Sequence, residues 1–231
     1  KSVGNTFYYA LLSIPIGMVL SLWIAYYLNK KLNGISFFRV LYYLPSVVPV
    51  VASSLLFVRL LAPNQGLINK ALALIGIKGP NWLLDPHWVK PALVLMSLWG
   101  VGGGVVLLLA GMKGIPSELL EAAAIDGANS RKTFFFVTLP MLTPIIFFNL
   151  ITGMIGALQT FAQVFIVTSG GPDNASQMIV PYLFENAFKF YKMGYASSIA
   201  WVLFIIILLL TLVIFRSSAL WVYYEEGKRN G

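Results

Sequence analysis

Cysteine is absent from this chain of 231 residues, which excludes disulfides, thiolate metal sites and cysteine nucleophiles. Histidine occurs once, as His87 in the segment PNWLLDPHWVKPA, and no second metal-ligand type clusters with it, so it reads as a surface or interface histidine. Charge is scarce too, at 10% of residues. No G-x-x-x-x-G-K-[ST] loop is present to cradle nucleotide phosphates, so the chain cannot hydrolyse ATP alone. The net charge of +8 has no separate basic and aromatic surface behind it, so it reflects membrane orientation rather than nucleic-acid binding.

In place of charge the chain has apolar length. With 58% hydrophobic residues and a mean hydropathy of +0.82 it is too apolar for a soluble domain and belongs in a bilayer. Five apolar runs reach or approach the roughly 20 residues that a spanning helix needs: about 7–28, 40–61, 89–111, 141–167 and 199–215. No strand-period alternation competes, so the pattern predicts an all-α, polytopic helical bundle forming one transmembrane domain over 1–231.

Orientation follows from the density of positive charge in short loops. The connection 29–39 carries Lys30, Lys31 and Arg39 without an acid, and the tail carries Arg216, Lys228 and Arg229; both are expected in the cytoplasm. Threading five spans from there puts 116–138 in the cytoplasm as well, and 62–88 and 168–198 outside, although Lys70, Lys78, Lys90, Lys189 and Lys192 lie on the outer side.

One polar, helix-compatible insert interrupts the apolar pattern, EAAAIDGANSRKTFFFVTLP at 121–140. Pro116 suits a first helical turn, and Glu118 and Glu121 lie near the positive end of that helix. Gly127 lets the backbone turn, Asn129 or Ser130 can cap a second helix, and Pro140 is expected to interrupt the helical segment after it. Two short helices with a glycine between them, over about 116–138, are expected to form a compact protrusion.

The insert resembles the EAA motif of the membrane subunits of binding-protein-dependent ABC importers. Glu121, Ala122, Ala123, Gly127, Leu139 and Pro140 match the motif, and Val137 stands where isoleucine is expected. The resemblance implies the type I importer permease fold, MetI-like. It implies that this protrusion docks in a groove of a separate ATPase, with Glu121, Ala122, Ala123, Asp126, Gly127, Leu139 and Pro140 as the coupling set. ATP and Mg would be bound by that partner and no cofactor by this chain. Further implied partners are a second permease subunit, in a heterodimer, an extracytoplasmic solute-binding protein and the solute, in a bacterial or archaeal cell membrane with the C-terminus cytoplasmic. Members of the family usually have six core helices with the motif between the fourth and fifth. Here it lies between the third and fourth, which implies that a first core helix is missing through truncation; a cleaved signal peptide is the alternative cause.

Four strings narrow the resemblance to the carbohydrate-uptake branch of maltose and glycerol-phosphate type. They are Asn81-Trp82-Leu83, Leu109-Ala110-Gly111 followed by Ile115-Pro116, Thr168-Ser169-Gly170-Gly171-Pro172, and Met193-Gly194-Tyr195-Ala196-Ser197.

For the solute path, Asn149, Thr152, Gly156, Gln159, Thr160 and Gln163 recur at steps of three and four in the fourth span, opposite Leu150, Met154, Leu158, Phe161 and Phe165. Amides facing lipid are costly, so this stripe faces either a water-filled path or neighbouring helices as polar glue. A neutral, hydrogen-bonding stripe suits sugar hydroxyls better than an ion. The run Gly100-Val101-Gly102-Gly103-Gly104 is open to two readings, a close-packing face or a flexible point, and Trp99 either packs or stacks on a sugar ring. Trp82, Trp88, Trp221, Tyr223 and Tyr224 lie near span ends and suit membrane interfaces.

The chain thus reads as a permease subunit of an ATP-driven importer for a sugar or sugar-like solute, with no bond chemistry of its own. Alternatives are an ABC permease for another solute class and an ion-coupled secondary transporter. The latter places ionisable residues at mid-membrane depth, and none of the eight acidic residues falls within a predicted span.

Overall fold

The computed structural model describes residues 1–30 and 34–223. Lys31, Asn33, Tyr224, Glu225, Glu226, Lys228 and Arg229 lie outside the described residues. Every regular element among the described residues is helical.

Helix α1 (Ser2–Leu28) is the central post. Its 27 residues extend about 40 Å, more than the roughly 30 Å of a hydrocarbon core. It packs against α5 (Val89–Leu98), α6 (Gly102–Lys113) and α9 (Leu139–Leu158), and touches α2 (Ile35–Val47) and α11 (Ile179–Phe184). Three apolar clusters line its length. Tyr9 joins Phe57, Leu93 and Val164; Ala10 joins Met154, Ile179 and Leu203; Ile24, Ala25 and Leu28 join Val105, Leu108 and Leu142 at the other end.

Among the described residues three helices are long and apolar enough to cross a membrane by themselves: α1, the continuous stretch Ser130–Leu158, and α12 (Met193–Trp221). Two bent pairs raise the number to five if each counts as one span, which agrees with the five runs but not with their shapes.

The run at 40–61 is not a straight span. It is α2 followed by α3 (Val50–Leu60), turned by 98°. Pro49 forces the turn, because its ring excludes the helical conformation at Val48, whose ψ is 128°. The run at 89–111 is bent by 41° between α5 and α6. The run at 141–167 is cut short: α9 ends at Leu158, Phe161 leaves helical geometry with φ −129° and ψ −68°, and α10 (Ala162–Val167) packs on α3 instead.

Pro140 does not interrupt a helix. Helix α8 (Ser130–Thr133), a π-helical turn (Phe134–Thr138) and α9 form one unbroken 29-residue helix. In the π turn Leu139 N–H reaches Phe134 O, and this widened turn takes the strain that a proline ring otherwise imposes on the carbonyl four residues back. The second half of the expected two-helix protrusion is therefore the foot of the adjoining span. The last apolar run extends beyond 199–215, since α12 covers Met193–Trp221.

The segment between α3 and α5 contains a short helix, α4 (Leu67–Leu74).

Candidate functional site

Two places stand out, a protrusion at one end and a cavity within the bundle. The protrusion is α7 (Ser117–Ile125) with the turn after it. Pro116 occupies the N-cap position and Glu118 lies in the first turn, where a carboxylate meets the unpaired N–H groups favourably. The helix closes with a Schellman arrangement: Gly127 N–H donates to Ala124 O at 3.1 Å and Ala128 N–H to Ala123 O at 2.9 Å. Gly127 makes this possible at φ +74°, a conformation strained for most side chains. Asn129 then caps α8, its Oδ1 accepting from Lys132 N–H at 3.0 Å.

Helix α7 packs on α8 and the π turn, and none of its residues is buried. Glu121, Ala122, Asp126 and Gly127 are exposed and Ala123 is half-buried. Glu121 makes no ion pair among the described residues. Next to these polar groups Ile125 is 87% exposed, and Phe135 and Phe136 are exposed as well. Leu139 and Pro140 lie half-buried at the foot, where Thr143 Oγ1 donates to Pro140 O at 2.6 Å and accepts from Tyr223 N–H at 2.8 Å. Phe134 anchors the π turn to α1 through an edge-on contact with Tyr26, 4.8 Å between ring centres.

The cavity, about 410 Å³, lies between α1, the α5–α6 bend and α9. Ser13, Ser97, Asn149 and Thr152 supply its polar wall, and none of its lining residues is ionisable except Tyr9. Gly153 and Gly156 border it with open space where a Cβ would stand. Ser13 Oγ and Asn149 Nδ2 are buried without a hydrogen-bond partner among the described residues, whereas Thr152 Oγ1 is already satisfied by Phe148 O at 2.9 Å. An unpaired buried donor costs about 1–3 kcal/mol, so these two groups beside one cavity are left unsatisfied in this conformation.

Because α9 ends at Leu158, the six-residue stripe does not share one face. Asn149, Thr152 and Gly156 line the cavity between α1, the α5–α6 bend and α9; Gln159, Thr160 and Gln163 do not. Gln163 ties α10 to its neighbours: its Nε2 donates to Leu93 O at 3.0 Å and its Oε1 accepts from Tyr9 OH at 3.4 Å. It also borders a smaller cavity of about 180 Å³ with Ser54, Ser97 and Trp99, and Trp99 meets Phe57 edge-on at 5.8 Å. Ser13, Gly17 and Ser21 lie outside the stripe read from the sequence, although their i, i+4, i+8 spacing on α1 is the signal that could have found them.

The glycine run divides its roles. A Cβ on Gly102 would lie 2.5 Å from Tyr42 O, and one on Gly104 3.2 Å from Ser21 Oγ, so these two admit α2 and α1 closely, while Gly100 lies at the bend. His87 is an exposed loop residue whose Nδ1 lies 3.2 Å from Asp85 Oδ1.

Helices of membrane length, an exposed polar protrusion and an uncharged cavity open along Thr152, Gly153 and Gly156 are the parts of a multi-pass membrane subunit. Residues 13–221 match the family of binding-protein-dependent transport system inner membrane components, and the chain belongs to it; this is the permease family of ABC importers. It is 41% identical over 98% of its length to the probable ABC transporter permease protein YesP of Bacillus subtilis (strain 168), covering 74% of that protein. It is 34% identical over 94% of its length to the lactose transport system permease protein LacF of Rhizobium radiobacter, covering 75% of it. Among solved structures it resembles a chain of a bacterial alginate ABC transporter in complex with an alginate pentasaccharide-bound periplasmic protein, with a TM-score of 0.86 at 22% identity over 94% of this chain and 77% of that one, a likeness of fold.

Proposed function

We propose that the chain carries a sugar or sugar-like solute across the membrane by alternating access, coupled through α7 to a separate ATPase that binds ATP and Mg. The observation that carries the sugar reading is the uncharged cavity wall, whose polar residues Ser13, Ser97, Asn149 and Thr152 suit hydroxyl groups better than a charged solute. The names of relatives agree, among them permease proteins of lactose and trehalose/maltose transport systems and of a multiple sugar-binding transport system.

In this reading α7 enters a groove of the ATPase. Glu121 and Asp126 supply charged contacts, Ala122 and Ala123 let the helix sit close, and Gly127 shapes the turn. Exposed Ile125 adds an apolar contact, and Leu139 and Pro140 at the foot pass movement into α9. Closure of two ATPases on ATP would draw two protrusions together, one from this chain and one from a second permease in a heterodimer, and open the cavity toward a loaded solute-binding protein. The protrusion and the C-terminus then face the cytoplasm.

ATP-driven uptake into proteoliposomes by the assembled transporter, with its binding protein, tests the solute class. Labelled neutral disaccharides and oligosaccharides are expected to accumulate and amino acids and phosphate not. Accumulation of an amino acid or phosphate with no sugar taken up would overturn the reading.

A further inference from the structure

Helix α4 is apolar on nearly every side. In its sequence LINKALAL only Asn69 and Lys70 are polar, and Asn69 is used internally. Its Nδ2 donates to Pro63 O at 2.8 Å and Pro80 O at 3.2 Å, and its Oδ1 accepts from Trp82 Nε1 at 2.7 Å. Ile68 packs against the core cluster of Tyr9, Leu61 and Leu93. The other face, Leu67, Ala71 and Leu74 at i, i+4 and i+7, is open, with Leu67 64% and Leu74 89% exposed. The turn that ends the helix, with Gly76 at φ +76° and Ile77 N–H on Leu72 O at 2.9 Å, adds exposed Ile75 and Ile77. A helix apolar all round is ordinarily buried, and an exposed aliphatic surface of this kind marks a contact.

The depth of α4 is set by a chain of contacts. Trp82, bonded to Asn69, meets Trp88 edge-on at 5.2 Å between ring centres, and Trp88 is the N-cap residue of α5. Close by in sequence, Lys90 Nζ lies 4.7 Å from the centre of the Tyr8 ring on α1. Tryptophan, tyrosine and lysine at helix entries settle at the headgroup level of a bilayer. Helix α4 therefore lies where α1 and α5 enter the membrane. Across 62–88 the chain has exposed Lys70 and Lys78 and one acidic residue, Asp85, which lies beside His87 away from α4 in sequence.

We propose that α4 and the turn through Lys78 form an interfacial anchor, with Leu67, Leu74, Ile75 and Ile77 set among the headgroups and upper acyl chains and Lys70 and Lys78 on the phosphates of anionic phospholipid. The charge of the segment is complementary to that surface, and the combination of aliphatic face and flanking lysines is what an interfacial helix needs. A partner that docks and leaves fits less well, since such interfaces are no more apolar than average protein surface. The inference rests on the membrane location of the chain alone, not on the solute or on which side this end faces.

The test uses the assembled transporter in vesicles of phosphatidylcholine with or without phosphatidylglycerol. An environment-sensitive fluorophore is placed on Leu74→Cys or Ile77→Cys, which this chain allows because it has no other cysteine, and signals are read as differences from the cysteine-free parent. Lipids brominated high on the acyl chain are expected to quench both positions about twofold or more, while aqueous iodide quenches a label on exposed His87→Cys and leaves position 74 largely dark to it. Lys70→Glu with Lys78→Glu should weaken lipid quenching in the phosphatidylglycerol vesicles and leave it unchanged in phosphatidylcholine alone. Iodide quenching at 74 as strong as at 87 overturns the anchor. Loss of lipid quenching when the loaded solute-binding protein is added assigns the face to that protein instead, and equal behaviour of the charge-reversed variant in both vesicle types overturns the anionic preference.

Discussion

Ala128 N–H reaches back to the carbonyl of Ala123, 2.9 Å away, and this single bond joins the alanines of the protrusion to the glycine that lets the chain turn. With Ala123 as acceptor the helix must end in the left-handed residue between them, Gly127 at φ +74°. The residues spaced along the polar insert are thus the parts of one helix end.

Gly127→Ala should therefore disturb the protrusion without disturbing the bundle. Open space surrounds the position, so the cost is backbone strain alone, about 1–2 kcal/mol. ATPase association and uptake should fall while the helical content of the purified chain is retained. Gly127→Asn should recover part of the loss, because asparagine tolerates this conformation. Unchanged association in the alanine variant would show that the shape of the turn is irrelevant to docking.

Glu121→Lys reverses an exposed charge that has no partner among the described residues, so folding and insertion should be preserved. Charge reversal at a desolvated contact costs several kcal/mol, and both pull-down of the ATPase and uptake should be lost. Wild-type values for both defeat the coupling assignment.

Asn149→Leu and Gln163→Leu should separate transport from stability. Asn149 Nδ2 is already unpaired, so its removal should leave thermal stability equal or higher while uptake per assembled complex falls. Gln163→Leu breaks the bonds to Leu93 and Tyr9 and should lower stability by about 1–3 kcal/mol. Full transport by a stable Asn149→Leu complex would take the solute path away from this cavity.

The glycine run gives a packing test within three residues. Gly102→Ala pushes a methyl group against the backbone at Tyr42 and should cost about 1–3 kcal/mol, whereas Gly103→Ala meets nothing within 4 Å. Thermal melts of the detergent-solubilised chain should therefore rank Gly102→Ala well below Gly103→Ala, and equal melting temperatures would contradict the close approach of α2 to α6.

Orientation can be read with impermeant thiol reagents. Ile125→Cys should react only from the cytoplasmic side and His87→Cys only from outside; both side chains are well exposed. Reversed labelling would remove the ATPase from reach of α7.

The amino-acid sequence alone determined the class of molecule. Apolar runs of membrane length, sparse charge and a polar insert with helix-starting Pro116 and helix-ending Gly127 depend on local chemistry and on the bilayer, and both act on residues close together along the chain. Only the tertiary structure decided how the runs are shaped. Pro49 turns α3 by 98° from α2, whereas Pro140 lies inside an unbroken helix behind a π turn, and no rule on proline alone distinguishes them. The same holds for the stripe. Periodicity extended from Asn149 through Gln163 as if one helix carried it, but the break after Leu158 gives Gln163 to a Leu93 and Tyr9 contact across the bundle. The cavity wall comes from Ser13 on α1, Ser97 on α5 and Asn149 on α9, residues far apart in sequence that only packing around α1 brings to one space.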